Sequence, residues 1–379
     1  MIEKNKHEYL YEVSSPQTKL EKVYERVNST IGGIERIAVV LYDQQTDILK
    51  TYLSIDEGEN PLMFYETTLK ETPGLRTLMQ NMSSRTIHDM TVFAKGKGVH
   101  TQKIAKKGYK SSYTFPMFRL GVFYGFIFFN SMKKNNFAEQ NIEYLEMMSQ
   151  LISDFVYIDL TTIKTMVAAF RSANTYVHYK DPETGEHLER MSKYSRLIAM
   201  ELARKGKVNY TDRDIEYIYL FSPLHDLGKI AIPDQILRKP GPLSEDEWDI
   251  MKTHTTEGKK ILLELIKTFD LKISVEIEMI FHIVELHHEM LDGSGYPHGL
   301  SGDEVPMVTR IITISDIFDA LTTERPYKEA WSNDKAFATL REMAKNKLDS
   351  DCLAILEENR HEVEAIQKMH FKPGQINVM

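Results

Sequence analysis

The amino-acid sequence predicts a multidomain protein with three parts: an N-terminal α+β domain in which helices cover an antiparallel sheet, a long linker helix, and an all-α C-terminal domain. Three observations predict this order. Short β-branched and aromatic runs alternate with polar turns in the first third of the 379 residues. A stretch without glycine or proline follows over residues 139–180, and the remainder shows apolar residues at helical spacing. We therefore assign residues 1–138, 139–180 and 181–379 to these parts.

Composition excludes several classes of protein. Lysine and arginine number 47 against 55 aspartates and glutamates, a net charge of −8, so we expect no DNA binding through overall charge. Hydrophobic residues make up 42% of the chain and exclude wholesale disorder. The single cysteine cannot form an intrachain disulfide or a thiolate metal site. The charged N-terminus is not a signal peptide, and the apolar run 120–129 is too short to span a membrane, so we expect a cytoplasmic location and no membrane partner.

The N-terminal part reads as helix, hairpin, short helix, hairpin, helix. Residues 18–31 carry apolar side chains at steps of three and four, which predicts an amphipathic helix that Gly32 and Gly33 end. Residues 36–42 and 48–55 predict one strand pair, and residues 112–118 and 122–131 predict another. A short helix is expected at 74–83.

The linker segment has apolar residues spaced as in a heptad seam. They fall into two sets whose register shifts between them: Leu145, Met148, Ile152 and Phe155, then Val156, Leu160, Ile163, Val167 and Phe170. One interpretation is a parallel dimer stalk that carries a signal between domains. The other is one or two ordinary helices packed on their own domain, because Thr161 and Thr162 could mark a break.

The C-terminal part contains five separated groups of oxygen and nitrogen ligands. Each has an ordinary explanation when taken alone, as a surface charge or a helix residue. Together they predict a site for two or three metal ions such as Fe, Mn or Zn, because imidazole and carboxylate ligands come from several helices. A binuclear centre of this kind hydrolyses phosphate esters. The groups are Glu183 with His187, His225 with Asp226, His254, His287 with His288, and Asp316.

The N-terminal part resembles a GAF domain. The resemblance is carried mainly by SYTFPMFRLGVFYGFIFFNS at residues 112–131 and covers roughly residues 18–158. It implies a small regulatory ligand, whose identity the sequence does not give, or a role in dimerisation. We interpret His88 and His100 as loop histidines and not as cofactor ligands.

The C-terminal part resembles an HD-GYP domain, a subgroup of the HD metal-dependent phosphohydrolases. HDLGKI at residues 225–230, HHEMLDGSGYPHGLSGDEVP at 287–306 and RIITISDIFDALTTERPY at 310–327 carry this resemblance. It implies an all-helical fold, a centre of two or three metals that is usually iron, and hydrolysis of cyclic di-GMP to linear pGpG or GMP.

The resemblance also implies roles for single residues. The metal ligands would be His187, His225, Asp226, His254, His287, His288 and Asp316, with Glu183 as the extra carboxylate of a trinuclear centre. Asp226 would bridge two metals, and Lys229 would stabilise phosphate charge in the transition state. The substrate contacts would be the loop residues Gly295, Tyr296 and Pro297, with the basic residues Arg325 and Lys328. Asp319 lies three residues after Asp316, and we do not expect it to be a ligand.

Three functional hypotheses follow. The first is a cyclic di-GMP phosphodiesterase with divalent metals, iron or alternatively manganese, that the N-terminal domain regulates and that dimerises through the linker helix. The second is a receptor or scaffold that binds the nucleotide without turnover. The third is an HD hydrolase of another cyclic dinucleotide, because a metal site binds the phosphate and does not distinguish one base from another.

Overall fold

The computed structural model describes residues 15–44, 46–56, 66–93, 107–178, 185–268, 275–324 and 329–369. The chain divides into two compact units, whose main segments are Met1–Lys164 and Thr165–Ile376. The division falls inside the predicted linker segment, and the predicted domain limits 1–138, 139–180 and 181–379 stay a prediction.

The first unit is built on one six-stranded sheet in which every strand pair is antiparallel. The strand order is β3-β2-β1-β6-β5-β4. The bounds are β1 Arg36–Asp43, β2 Ile48–Asp56, β3 Glu66–Thr68, β4 Arg85–Ile87, β5 Ser111–Arg119 and β6 Val122–Ser131. Both predicted hairpins are therefore confirmed. The two three-residue strands, β3 and β4, lie at the edges of the sheet, where each pairs with one neighbouring strand.

Helices cover both faces of this sheet. The first helix, α1 (Pro16–Thr30), begins at Ser15, whose hydroxyl accepts a hydrogen bond from the Thr18 amide. It packs with the early part of α3 (Ile142–His178) against the sheet. The short helix α2 (Pro73–Asn81) packs with aromatic residues of β6 in a second core cluster. The predicted class, an antiparallel sheet with helices, is confirmed.

The long helix α3 is continuous through Thr161 and Thr162, so the interpretation with a break there is wrong. Thr162 donates its hydroxyl hydrogen to the Ile158 carbonyl, so the hydroxyl is satisfied inside the helix. Leu145, Ile152 and Val156 are fully buried in the core of the first unit. These seam residues therefore pack on their own domain and are not available for a dimer contact.

The second unit consists of helices joined by loops, with one isolated antiparallel bridge between Asp292 and Ser301. This arrangement confirms the predicted helical C-terminal part. Its helices in the described ranges are α4 (Gly185–Arg204), α5 (Asp212–Phe221), α6 (Asp234–Leu237), α7 (Glu245–Lys252), α8 (His254–Thr268), α9 (Val275–Leu286), α10 (Met307–Thr322), α11 (Asn333–Met343), α12 (Ser350–Glu358) and α13 (Arg360–Lys368).

Candidate metal centre

A His-Asp pair lies in the turn that follows α5. The helix ends at Phe221, and two short 3-10 segments, Ser222–Leu224 and Leu227–Ala231, flank His225 and Asp226. Both side chains are buried. The turn lies against the start of α8 because Gly228 has no side chain: a Cβ there would lie 1.7 Å from the carbonyl oxygen of His254. This close approach brings the pair next to His254.

The Asp226 carboxylate lies between two groups of histidines. Its Oδ1 is 3.4 Å from Nε2 of His254 and 3.8 Å from Nε2 of His287. Its Oδ2 is 3.1 Å from Nε2 of His225 and 2.8 Å from Nζ of Lys229. The two oxygens of one carboxylate therefore face two different sets of ligand atoms, as a bridging ligand requires.

The histidine rings are oriented by backbone carbonyls. His225 donates from Nδ1 to the Ser222 carbonyl at 3.0 Å, and His254 donates from Nδ1 to the Met251 carbonyl at 2.8 Å. The Nδ1 of His287 lies 3.0 Å from the Ile283 carbonyl. Because each Nδ1 carries the proton, each Nε2 presents a lone pair toward Asp226.

Two of these lone pairs face each other. Nε2 of His254 lies 3.3 Å from Nε2 of His287. The Nδ1 proton of each ring is donated to a backbone carbonyl, so neither Nε2 carries a proton. Two acceptors at this distance repel each other, and a cation shared between them would remove the repulsion. The chemistry of the donors therefore fits a divalent metal ion.

A second group of ligands lies around His187 at the start of α4. Nε2 of His187 is 3.6 Å from Oδ1 of Asp316, and its Nδ1 donates to Oδ2 of Asp319 at 2.8 Å. Arg190 holds the same carboxylate with two hydrogen bonds, 2.7 Å from Nε to Oδ1 and 3.0 Å from Nη2 to Oδ2. Asp319 thus orients His187, as carboxylates beside metal-ligating histidines commonly do.

The pKa shifts favour ligand forms of these side chains. Burial lowers the pKa of His254, and burial together with neighbouring imidazoles lowers the pKa of His287 well below its ordinary value. The same causes lower the pKa of His288 to about 3. Burial alone would raise the pKa of Asp226, but Lys229 and the imidazoles outweigh it and hold the pKa well below its usual value. Neutral imidazoles beside an ionised carboxylate are the states that bind metal.

The structure thus brings seven of the eight predicted ligands into two groups. In each group the candidate ligand atoms all lie within 4.8 Å of one another. The eighth, Glu183, lies outside the described residues, as do the two basic residues expected at the substrate, Arg325 and Lys328. The first group is Asp226, His254, His287 and His288, and the second is His187, His225 and Asp316.

The loop with Gly295, Tyr296 and Pro297 lies beside the first group. The Tyr296 ring centroid is 4.7 Å from that of His288, and the Tyr296 amide donates to the His288 carbonyl at 3.2 Å. A Cβ on Gly295 would lie 2.4 Å from the Met290 amide nitrogen, so only glycine allows this approach.

Two residues that hold the site were missed by sequence reasoning. From the sequence we do not expect Asp319 to be a ligand, and the structure shows that it is instead the hydrogen-bond partner that orients His187. The buried Glu289 was not given a role, and its carboxylate accepts hydrogen bonds from the amides of His298 and Leu300 at 2.7 and 2.9 Å, which anchors the loop. The sequence does contain a signal for Glu289: this carboxylate directly follows His287 and His288 after an apolar helix. A carboxylate buried at such a place must be paired, because burying it alone is costly.

A family model for the HD domain matches residues 179–352. The match covers a little under half of the chain. The matched range contains both groups of candidate ligands, and with the N-terminal sheet it gives the chain its two-part architecture. Among the described residues, no helix is both long enough and apolar enough to cross a bilayer.

Curated relatives of the chain include proteins named as phosphodiesterases of two different cyclic dinucleotides. A cyclic di-GMP phosphodiesterase response regulator of Xanthomonas campestris is 40% identical over 190 residues, which are 50% of this chain and 47% of the relative. A 3′3′-cGAMP-specific phosphodiesterase of Vibrio cholerae is 38% identical over 199 residues, 52% of this chain and 39% of the relative. A cyclic di-GMP phosphodiesterase of Thermotoga maritima is 40% identical over 171 residues, 45% of this chain and 43% of the relative. The chain spans less than half the length of each.

Similar solved structures include two with GAF domains. One is the GAF domain of a two-component sensor histidine kinase from Bacillus halodurans, with 14% identity, a TM-score of 0.32, and coverage of 38% of this chain and 97% of that one. The other is a GAF domain/HD domain protein from Geobacter sulfurreducens, with 11% identity, a TM-score of 0.31, and coverage of 38% and 95%. At these values the likeness carries no conclusion about a ligand.

Proposed function

We propose that the chain is a metal-dependent phosphodiesterase that hydrolyses cyclic di-GMP to linear pGpG, GMP or both. The observation that carries this proposal is the Asp226 carboxylate, whose two oxygens face two separate groups of imidazole and carboxylate ligands. Two groups joined by one carboxylate suit a binuclear centre, and binuclear centres serve phosphate-ester hydrolysis.

We propose His254, His287 and His288 as ligands of one metal and His187, His225 and Asp316 as ligands of the other, with Asp226 as the bridge. Neutral imidazoles and carboxylates without thiolates suit Fe²⁺, with Mn²⁺ as the alternative. Glu183 would add a carboxylate for a third ion. The ions, when bound, supply Lewis-acid activation of the phosphoryl group and of water.

Other residues would stabilise charge at the site and contact the substrate. Asp226 holds its negative charge, and Lys229, with its Nζ 2.8 Å from Oδ2 of Asp226, places an ammonium at the edge of the ligand groups. That ammonium can stabilise charge on a phosphate oxygen as the ester bond breaks. Gly295, Tyr296 and Pro297 form one wall beside His288, and we propose Arg325 and Lys328 as further contacts to the phosphates.

The second candidate substrate is 3′3′-cGAMP, because a relative of similar identity is specific for it. Both dinucleotides contain the phosphodiester that the metal groups would bind, so the choice between them depends on contacts to the bases. A receptor without turnover is the third possibility, and the complete set of described ligands favours an enzyme over it.

We also propose that the N-terminal unit is a GAF-like regulatory domain with a small ligand of its own, in a cytoplasmic protein. The helix α3 begins in the core of that unit and extends to His178, close in sequence to the proposed ligand His187. Ligand binding at the sheet could therefore change the start of α4 through α3. A homodimer would need a surface other than the buried seam residues of α3.

The test is turnover by protein purified without oxygen and supplied separately with Fe²⁺ and Mn²⁺. Cyclic di-GMP and 3′3′-cGAMP are compared by kcat/KM, with products resolved by chromatography and Asp226→Ala as the control. We expect product from the wild type alone, and the metal that restores it identifies the cofactor.

Two results would change the proposal. Equal turnover and metal content in Asp226→Ala would refute the bridging role. Two bound metals with no product from either dinucleotide would favour the receptor.

A further inference from the structure

Trp248 is an exposed aromatic residue on the short helix α7. The helix begins with a capping box in which the Ser244 hydroxyl accepts from the Glu247 amide and the Glu247 carboxylate accepts from the Ser244 amide. Lys239 binds the same carboxylate at 2.5 Å, so the helix is fixed at its start. Trp248 nevertheless remains 48% exposed, six residues before His254. Almost half of this large aromatic side chain is therefore open to a ligand from solvent.

Trp248 continues a row of rings that starts at the candidate metal ligands. The Tyr296 ring lies 4.7 Å from the His288 ring and 6.3 Å from the His254 ring, measured between centroids. The Trp248 ring lies 6.4 Å from the Tyr296 ring and is inclined to it by 80°. Trp248 is therefore one ring further from the metal groups than Tyr296, on the side of the loop that carries Gly295, Tyr296 and Pro297.

We infer that Trp248 is a substrate-binding residue on which one purine base of a cyclic dinucleotide stacks while a phosphodiester lies at the metal groups. This inference rests on the proposed function and adds a base contact to it. The geometry is suitable because the perpendicular rings of Trp248 and Tyr296 present a corner, in which a flat base can stack on the indole with its edge toward the phenol. A flat, exposed indole binds any base through its π-face.

Stacking makes a specific kinetic prediction. A stacked base stabilises the bound substrate and the transition state equally. Loss of stacking should therefore raise KM and leave kcat unchanged. Base–aromatic stacking corresponds to a change of about tenfold in affinity when the ring is removed. Because a π-face does not distinguish guanine from adenine, the change should be similar for cyclic di-GMP and 3′3′-cGAMP.

The experiment compares Trp248→Ala and Trp248→Phe in the full-length, metal-loaded protein. Ile250→Ala is the matched control, because Ile250 is 42% exposed on the same helix. We expect Trp248→Ala to raise KM about tenfold for both dinucleotides with unchanged kcat and metal content. Trp248→Phe should recover part of the loss, and Ile250→Ala should behave as wild type. A KM within twofold of wild type for Trp248→Ala would overturn the inference.

A fluorescence experiment separates this inference from the proposed function. The chain has two tryptophans, so Trp331→Phe leaves Trp248 as the only reporter. Titration with cyclic di-GMP or 3′3′-cGAMP should quench its emission to saturation. Quenching without turnover would support the stacking contact while the phosphodiesterase proposal fails. Turnover without quenching would overturn the stacking contact alone.

Discussion

Asp319→Asn should weaken metal binding at the proposed site without changing a proposed metal ligand. In the structure the Asp319 carboxylate accepts hydrogen bonds from Nδ1 of His187 and from Nε and Nη2 of Arg190. An asparagine has one oxygen and one NH2 group in the same space. If the NH2 group replaces Oδ2, it donates to His187 Nδ1, and the proton of that ring moves to Nε2, the atom that faces Asp316. If it replaces Oδ1, it opposes the N–H of Arg190.

The size of the effect follows from these contacts. Loss of a partner that orients a metal-bound histidine costs about 10- to 100-fold in metal affinity, which is about 1.4–2.8 kcal/mol. The variant also leaves the buried Arg190 without a full negative charge. Breaking a buried ion pair costs up to about 3–5 kcal/mol of stability, and the remaining amide oxygen reduces that cost.

The assay must separate metal loss from unfolding. Metal content is measured by mass spectrometry after equilibration with limiting Fe²⁺ or Mn²⁺, and unfolding of the metal-free protein is followed in urea. Asp349→Asn is the matched control, because Asp349 caps α12 and lies 3.2 Å from Nη1 of Arg310, with no ligand of either metal group among these partners. It should lose stability and keep its metals. Asp319→Asn with wild-type metal affinity would refute the reasoning.

Three further predictions test the glycine contact, the histidine pKa shifts and the regulatory proposal. Gly228→Ala should lower the Tm and the metal content, because its Cβ would lie 1.7 Å from a backbone oxygen. Gly185→Ala is the control, because a Cβ there has open space, and it should unfold as wild type does. Equal Tm values for the two variants would contradict the close approach at Gly228. The metal-free protein should lose stability as the pH falls from about 6.5 toward the pKa of His288 at about 3, because the unfolded imidazole binds a proton that the folded one does not. Denaturation at several pH values should therefore show a shallower pH slope for His288→Gln, and identical slopes would exclude this histidine as the cause. Tyr52→Phe removes the hydroxyl that donates to Asp159 on α3 at 2.5 Å. The lost hydrogen bond should cost about 1 kcal/mol of stability and change the kinetics if α3 carries regulation. Unchanged kcat and KM would argue against regulation through α3.

The sheet could be predicted from sequence wherever strands were long. The sequence predicts strands at residues 36–42 and 122–131, and these correspond to β1 and β6, because strands of eight and ten residues rich in β-branched and aromatic side chains give a clear pattern. The edge strands β3 and β4 have three residues each and were not predicted, because so short a segment has no periodicity.

The long helix shows what a periodic pattern leaves open. The spacing of Leu145, Ile152 and Val156 indicated an apolar stripe but did not say what covers it, because a partner helix and a sheet of the same chain bury such a stripe equally well. The structure places these residues in the core with the N-terminal sheet.

The sequence by itself indicated the chemistry of the candidate site: the types of ligand, the absence of thiolates and the prediction that His225, Asp226 and His254 are among the ligands. Those properties reside in single residues and short motifs. Only the tertiary structure decided that Asp226 lies between two ligand groups, that Asp319 orients His187 across 132 residues of chain, and that Trp248 lies beside Tyr296. Each of these depends on helices distant in sequence packing together, which no local pattern encodes.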